Sequence, residues 1–421
     1  MLDLFPDTVA VHSGGLTVGG CAASRLADRF GTPLVVYCEQ TIRARAREFL
    51  GAAPDALVVY GTKAFPNVAL LRLLADEGLG ADVSTLGELA FARRAGVPPQ
   101  RLVVHGNNKS DEELRSAAEA GAGFVVLDSL EEIDRAAAAG VGPVLLRLTP
   151  GIEAETHEAI RTGHHGSKFG LPSDDALAAI ADARRYDLEL VGLHVHVGSD
   201  LRELNALRTT IEWLGSFAAT CRARLDWSPQ VIDLGGGLGA RTVPGDAVPA
   251  IAEYAEALSA AVVSMWELQR LPLPQLIFEP GRSLIANAGF TLYRVGVVKR
   301  ATETVTYVAI DGGMSDNPRP QLYGARHAAL LADRADEPAS GRYAVCGKHC
   351  EAGDILIADL ELPEPRRGDL LAVPATGAYT LGMASNYNGV PRPAGVLVRE
   401  GEARLIRRRE TIDDLLSFEA D

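Results

Sequence analysis

The sequence predicts the α/β class: a (β/α)8 TIM-like barrel joined to a C-terminal antiparallel β domain. Three observations lead there. Between residues 56 and 279, eight short Val/Ile/Leu-rich runs recur, nearly continuous rather than alternating, as in strands buried on both faces of a parallel sheet. Helical periodicity fills the gaps, and eight strand–helix units over about 250 residues is the size of such a barrel. From about Thr291 the pattern changes to alternation broken by Gly and Pro, the texture of antiparallel strands.

The expected barrel strands cover residues 56–60, 80–84, 101–105, 124–127, 144–148, 191–197, 231–234 and 276–279. Helices are expected over 68–76, 86–95, 111–120, 130–139, 173–185, 204–222 and 250–268, with one more over 41–50 before the first strand. The alanines of 135–139 belong to one of these, alanine being the strongest helix former. Residues 293–299 and 302–310 alternate as strands. The turn-rich start is expected to lend strands to the same β-rich domain. The expected bounds are 1–35 for this N-terminal segment, 36–288 for the barrel and 289–421 for the β-rich domain. No internal repeat or low-complexity stretch interrupts this plan.

Composition narrows the function. A chain of 421 residues exceeds one ordinary domain, and 47% apolar with 23% charged residues suits a globular protein with a large core. A formal net charge of −14 argues against a nucleic-acid partner, which needs a basic surface. The opening Met-Leu-Asp-Leu-Phe-Pro-Asp lacks a basic start before an apolar run, and no run approaches the roughly 18 apolar residues of a membrane helix. Five cysteines, odd in number, fit a reducing compartment better than a disulfide framework. The expectation is a cytoplasmic enzyme with neither membrane nor nucleic acid as partner.

The chemically interesting side chains fall at the C-terminal ends of the expected strands, where barrel enzymes place their sites. Lys63 follows the first, His105 ends the third, and His196 lies near the end of the sixth. Gly235-Gly236-Gly237 follows the seventh, and Glu279 and Arg282 the eighth. A glycine turn there lets backbone N–H groups approach an anion, and phosphate commonly binds after the seventh and eighth strands. Taken singly, each has a plainer reading: a snorkelling lysine, a core histidine, an ordinary turn, a structural ion pair. Amine, flat ring, phosphate-sized turn and carboxylate together are the parts that hold pyridoxal 5'-phosphate. Lys63 then serves as the Schiff-base amine, which a partly desolvated site helps to deprotonate. Glu279 keeps the pyridine nitrogen protonated, making the ring a strong electron sink suited to loss of CO2. His194 and His196 share one side of a strand, and His196, nearer the mouth, is the expected stacking residue.

In the second domain, Cys346-Gly-Lys-His-Cys350-Glu351-Ala-Gly-Asp offers a Cys-x3-Cys spacing without a second ligand pair, so no metal is expected. Its thiols read either as structural or as a proton donor to a carbanion. Asn317-Pro-Arg319-Pro-Gln-Leu-Tyr323 holds an arginine suited to bidentate binding of a carboxylate, or simply a solvated surface arginine.

Segments spread over nearly the whole chain carry a resemblance. They are Phe30-Gly-Thr-Pro-Leu, Tyr60-Gly-Thr-Lys63-Ala, His105-Gly-Asn-Asn-Lys-Ser, Glu155-Thr-His-Glu and Ser167-Lys-Phe-Gly. Further along come His194-Val-His196-Val-Gly-Ser199, Asp233-Leu-Gly-Gly-Gly-Leu-Gly, Glu279-Pro-Gly-Arg282, Cys350-Glu351-Ala-Gly-Asp, and Gly377-Ala-Tyr379 before Met383-Ala-Ser-Asn-Tyr-Asn. Together they resemble the diaminopimelate decarboxylase family, fold-type III pyridoxal-phosphate enzymes with a barrel like that of alanine racemase. The resemblance implies decarboxylation of meso-2,6-diaminopimelate to L-lysine, the last step of lysine biosynthesis, in a homodimer with shared active sites. It implies Lys63 and Cys350 as catalytic residues, Cys350 donating its proton from the partner subunit. It places His196, Ser199, Gly236, Gly237, Glu279, Gly281, Arg282 and Tyr379 around the cofactor, and Arg282, Arg319, Tyr323, Glu351 and Tyr379 around the substrate. A substrate with an amino-acid group at both ends needs a cation and an anion at its far end, which Arg319 and Glu351 provide; ornithine or arginine has no use for that cation. The chain departs from the family at Ser84-Thr-Leu-Gly-Glu88, usually Gly-Gly-Glu, and at Ala352, commonly serine. The competing readings are a decarboxylase for another basic amino acid, a racemase, a non-catalytic pyridoxal-phosphate-binding protein and a purely structural barrel. Glu279 argues against the racemase, Cys350 and Arg319 against the non-catalytic binder, and the clustering of polar motifs at one barrel face against a structural role.

Overall fold

The computed structural model describes residues 1–152 and 166–420. The chain divides into two compact units. One comprises Arg45–Gly239 and Val248–Ser283; the other comprises Met1–Ala44, Ala240–Ala247 and Leu284–Asp421.

The first unit is the expected barrel. Its strands are Leu57–Gly61, Gly80–Val83, Leu102–Val104, Phe124–Leu127, Val144–Leu148, Leu190–Val195, Val231–Asp233 and Gln275–Phe278. Each pairs in parallel with the next in the chain, and the eighth closes on the first through Ile277 opposite Leu57 and Phe278 opposite Val58. Every strand pair is therefore joined by a crossover, which explains the uninterrupted apolar runs. Val59, Val103, Val126, Leu145, Val231 and Ile277 form one core cluster.

Local chemistry ends the helices where the pattern does. Val68–Asp76 starts at Asn67, whose side chain accepts the N–H groups of Ala69 and Leu70. Leu86–Ala95 runs from a Thr85 cap to a left-handed Gly96. Asp111–Ala120 begins with a Ser110–Glu113 capping box and ends at Gly121. These three and Ser173–Arg185 form with the expected bounds. Asn205–Leu225 runs beyond the expected end at 222, because no Gly or Pro stops it before the left-handed Asp226. Among the described residues no helix is long and apolar enough to cross a membrane.

The second unit is built on a nine-stranded sheet. Its main path runs Ile355–Leu362, Gly341–Cys346, Thr306–Ile310, Gly289–Arg300, Leu34–Cys38, Ala394–Arg399 and Glu402–Arg407. Most pairs are antiparallel, but Leu34–Cys38 lies parallel to Ala394–Arg399, and Thr306–Ile310 parallel to Gly341–Cys346. The sheet is thus mixed where antiparallel pairing was expected. The reason is connectivity: only strands joined by a tight turn, such as Gly289–Arg300 and Thr306–Ile310, must pair antiparallel, and long connections lift the constraint. A small sheet of Ala10–His12, Gly15–Val18 and Cys21–Ala22 belongs to the same unit.

Candidate active site

Barrel geometry gathers a polar layer at the C-terminal strand ends. Lys63 sits in the short turn Thr62–Ala64 after the first strand, its Nζ 3.2 Å from the buried Asp82 carboxylate at the end of the second. Pro280 accepts the Gly61 N–H at 3.1 Å, and Gly235 accepts the Glu279 N–H at 2.8 Å, so the first, seventh and eighth strand ends are stitched together. This fixes the backbone on which Lys63, the glycine turn, Glu279 and Gly281 stand.

Glu279 is the centre of the layer. His105 Nε2 donates to its Oε1 at 2.5 Å, and His194 Nε2 lies 3.6 Å from its Oε2. Burial pushes the Glu279 carboxyl up, but His105 and His194 outweigh it and hold the group well below the usual carboxylate range. Burial, reinforced by the Glu279 charge, drives the neighbouring Asp233 in the opposite direction, well above that range. Two buried carboxylates this close resist ionising together, and the opposed shifts favour the charge on Glu279. Burial also pushes His194 down to about 3, leaving it neutral at neutral pH. With His194 neutral, the stronger of the two contacts on Glu279 is the one with His105. His105, His194, Asp233 and Glu279 bring ligand-type atoms within 4.8 Å of one another. Because His105 engages Glu279 by a hydrogen bond and the Gly235 N–H occupies Asp233 Oδ1 at 2.8 Å, we read the group as a hydrogen-bonded network.

The glycine turn is shaped by close approach. A Cβ on Gly236 would lie 2.2 Å from the Glu279 carbonyl oxygen, and Gly235 has a left-handed φ of 64°. The Gly236 N–H donates to His196 Nδ1 at 3.3 Å and the Tyr254 hydroxyl to the Gly236 carbonyl at 3.1 Å. Burial first, then the Lys63 and Arg147 cations, hold the His196 ring well below its usual range, so it presents a neutral face. Arg282 Nη2 donates to Ser199 Oγ at 3.1 Å, and Arg282 Nε lies 3.7 Å from Asp200. Glycine turn, Ser199 and Arg282 make an end of the site suited to an anion.

A second buried ring braces this layer. Lys109 Nζ, on a side chain 1% exposed, donates to the carbonyls of Gly106 and Val126, each at 2.7 Å, and to Glu132 at 3.0 Å. Glu132 also accepts the Asp128 N–H at 2.7 Å. Asp128 in turn accepts the Gly170 N–H at 2.6 Å and lies 3.5 Å from Arg147, whose guanidinium stacks over Phe169 at 4.3 Å. The loop that begins with His105 is thereby locked to the fourth strand end.

The remaining sequence-predicted residues lie in the other unit. Arg319, buried at the start of the short helix Arg319–Tyr323, has Tyr323 and Tyr379 rings 5.6 and 5.9 Å from its guanidinium carbon. Cys350 and Glu351 are exposed neighbours on the loop between Gly341–Cys346 and Ile355–Leu362. Close by in sequence, the Tyr293 hydroxyl donates to the buried Asp316, whose carboxyl burial pushes up to about 7. In this unit Arg319, Tyr323 and Tyr379 form one cluster, and Cys350 and Glu351 stand on a separate loop. The segment Glu155-Thr-His-Glu lies outside the described residues.

Asp82, Lys109, Asp128, Glu132, Arg147 and Asp233 carry no role that the sequence alone announces. The signal was present: a charged residue set inside an otherwise apolar strand, as in Gly80-Ala-Asp82-Val and Leu-Leu-Arg147-Leu. Such a residue is tolerated there only with buried partners.

Comparison with known proteins identifies the family. The family described as "Pyridoxal-dependent decarboxylase, pyridoxal binding domain" matches residues 39–286. A diaminopimelate decarboxylase of Actinosynnema pretiosum subsp. auranticum is 46% identical over 99% of this chain and 95% of its own length. One from Mycobacterium tuberculosis is 44% identical over 98% and 96%. The crystal structure of a diaminopimelate decarboxylase from M. jannaschii in co-complex with L-lysine matches with a TM-score of 0.92 at 33% identity, covering 99% of this chain and 98% of that one. The chain belongs to the diaminopimelate decarboxylase family of fold-type III pyridoxal-dependent decarboxylases and is a carboxy-lyase.

Two outcomes follow from the buried charges. Lys109→Ala leaves Glu132 buried without its cation and lowers stability by about 3–5 kcal/mol in urea unfolding. Replacing both partners, by Lys109→Met with Glu132→Leu, costs less than either single change; a double variant worse than both contradicts the pairing. Asp316, raised in the folded state, contributes stability that is complete below its unfolded value of 3.8 and lost as pH rises through about 7. Between pH 5 and 8 the melting temperature of the wild type therefore falls relative to Asp316→Asn, and a constant difference counts against the shift.

Proposed function

We propose that the barrel site binds pyridoxal 5'-phosphate and that the protein decarboxylates meso-2,6-diaminopimelate at its D-configured carbon, giving L-lysine and CO2. The observation that carries this reading is the Glu279 carboxylate, buried yet held ionised by His105 at 2.5 Å, on strand ends stitched to that of Lys63. The donor set fits the cofactor: an amine, an ionised carboxylate, a neutral imidazole face, and an anion-binding end whose Gly236 admits no side chain. When bound, the cofactor supplies an electron-poor ring that takes up the electron pair left by the departing carboxylate.

The chain's own residues do the rest. Lys63 provides the amine that anchors the cofactor, and Asp82, 3.2 Å from its Nζ, orients it. Glu279 holds a proton on the ring nitrogen, and His196, oriented by the Gly236 N–H, packs against the ring. Ser199, Gly236, Gly237, Gly281, Arg282 and Tyr379 take the phosphate end. Arg319 and Glu351 receive the carboxylate and ammonium of the substrate's distal end, with Arg282, Tyr323 and Tyr379 completing its pocket. Cys350 delivers a proton to the carbon that lost its carboxylate. Its exposure supports delivery to the partner subunit of a homodimer, in which each active site is shared. We place the reaction in the cytoplasm, as the last step of lysine biosynthesis.

Lys63→Ala is expected to abolish both the absorbance change on adding pyridoxal phosphate and the release of CO2; undiminished turnover refutes the assignment. Neither Lys63→Ala nor Cys350→Ala alone sustains turnover, whereas re-assembled mixtures recover part of it through dimers with one intact site. Verified mixed dimers without recovered activity contradict the shared site. A parallel screen of diaminopimelate, ornithine, arginine and lysine for CO2 release checks the substrate, with diaminopimelate expected to dominate.

A further inference from the structure

The loop carrying Cys350 and Glu351 has a buried inner side that the proposed chemistry leaves unexplained. Asp354, 2% exposed, accepts the Met314 N–H at 2.8 Å on one oxygen. Its other oxygen accepts both the His349 N–H at 3.1 Å and the ring Nδ1–H at 2.6 Å. A Cβ on Gly347 would lie 2.0 Å from that carboxylate, so the loop is closed tightly around it. The His349 ring, with no side-chain exposure, is thereby fixed in place. It forms a platform for Tyr387, whose ring stacks on it at 5.9 Å and 24°. The Tyr387 hydroxyl donates to Glu351 Oε2 at 3.3 Å, and the adjacent Asn388 accepts the Cys350 N–H at 2.8 Å. The Glu351 charge pushes the Tyr387 phenol up, which keeps the hydroxyl a donor.

We propose that Tyr387, seated on the His349–Asp354 pair, is a positioning residue that holds the Glu351 carboxylate where the distal ammonium of the substrate binds. The proposal rests on the role given to Glu351 above. Free to rotate, Glu351 has three side-chain torsions to freeze each time a ligand arrives. Held by Tyr387, and through Asn388 at its backbone neighbour, it meets the ligand already oriented, and binding gains accordingly. Replacing His349 risks the loop itself, whereas Tyr387→Phe keeps the stack and removes one oxygen.

The test uses the holoenzyme and the variants Tyr387→Phe, Glu351→Gln and their combination. Calorimetric titration with L-lysine, which retains the distal amino-acid group, is read beside steady-state kinetics on diaminopimelate. Tyr387→Phe is expected to weaken L-lysine about 5- to 10-fold and raise KM similarly, with kcat within about twofold, as loss of one hydrogen bond of typical net strength implies. In the Glu351→Gln background the same change costs less than about twofold, because the two act as one unit. Wild-type affinity in Tyr387→Phe, or an equal loss in both backgrounds, overturns the positioning role while Glu351 keeps its own. A Glu351→Gln enzyme that binds L-lysine like the wild type removes the role of Glu351 and this inference with it.

Discussion

A carboxylate sealed inside a barrel mouth must be kept ionised, and the polar end of this barrel is organised around meeting that demand at Glu279. Removing a carboxylate from water costs several kcal/mol even after the surroundings relax. One hydrogen bond to a charged group returns about 1.5–3 kcal/mol. The His105 contact is therefore necessary but insufficient alone. Asp233, pushed in the opposite direction by burial and by the Glu279 charge, leaves Glu279 the more readily ionised of the two. His194 adds a neutral ring 4.8 Å from that of His105. The buried Lys109–Glu132 pair then keeps the loop beneath His105 from shifting.

The second unit meets a different requirement. An exposed thiol and an exposed carboxylate on a loop are mobile by default, and a loop becomes a reliable donor only when its inner side is packed. Asp354 does this by gathering three N–H groups from two separate turns. Arg319 is treated similarly, buried at a helix start between two tyrosine rings that pre-order its guanidinium. Rigid presentation matters for the proposed substrate, whose two ends are chemically alike and are distinguished only by what each meets.

Much of the fold was legible because a barrel repeats one rule. Runs such as Leu-Val-Val-Tyr before Gly61 announce strands buried on both faces, and Asn67, Thr85 and Ser110 mark helix starts by side chains that cap them. The parallel strand Leu34–Cys38 escaped, since it pairs with residues far away in the chain and no local pattern specifies such a partner. In the candidate site, Lys63, His196, Gly236, Glu279 and Arg282 stand out in the sequence because barrel enzymes place their chemistry at strand ends. Asp82, Arg147 and Asp233 do not, because hydrophobic periodicity treats a lone charge in an apolar run as noise. Their meaning lies in partners contributed by other strands, which only closure of the barrel brings near.

The proposed chemistry depends on a negative charge at Glu279 that would keep the ring nitrogen of bound pyridoxal phosphate protonated. Nitrogen-15 NMR of holoenzyme reconstituted with ring-labelled pyridoxal phosphate measures the protonation of that atom directly. A protonated pyridinium signal at neutral pH, lost in Glu279→Gln, is the predicted result. A neutral pyridine signal in the wild type, or one that Glu279→Gln leaves unchanged, contradicts it.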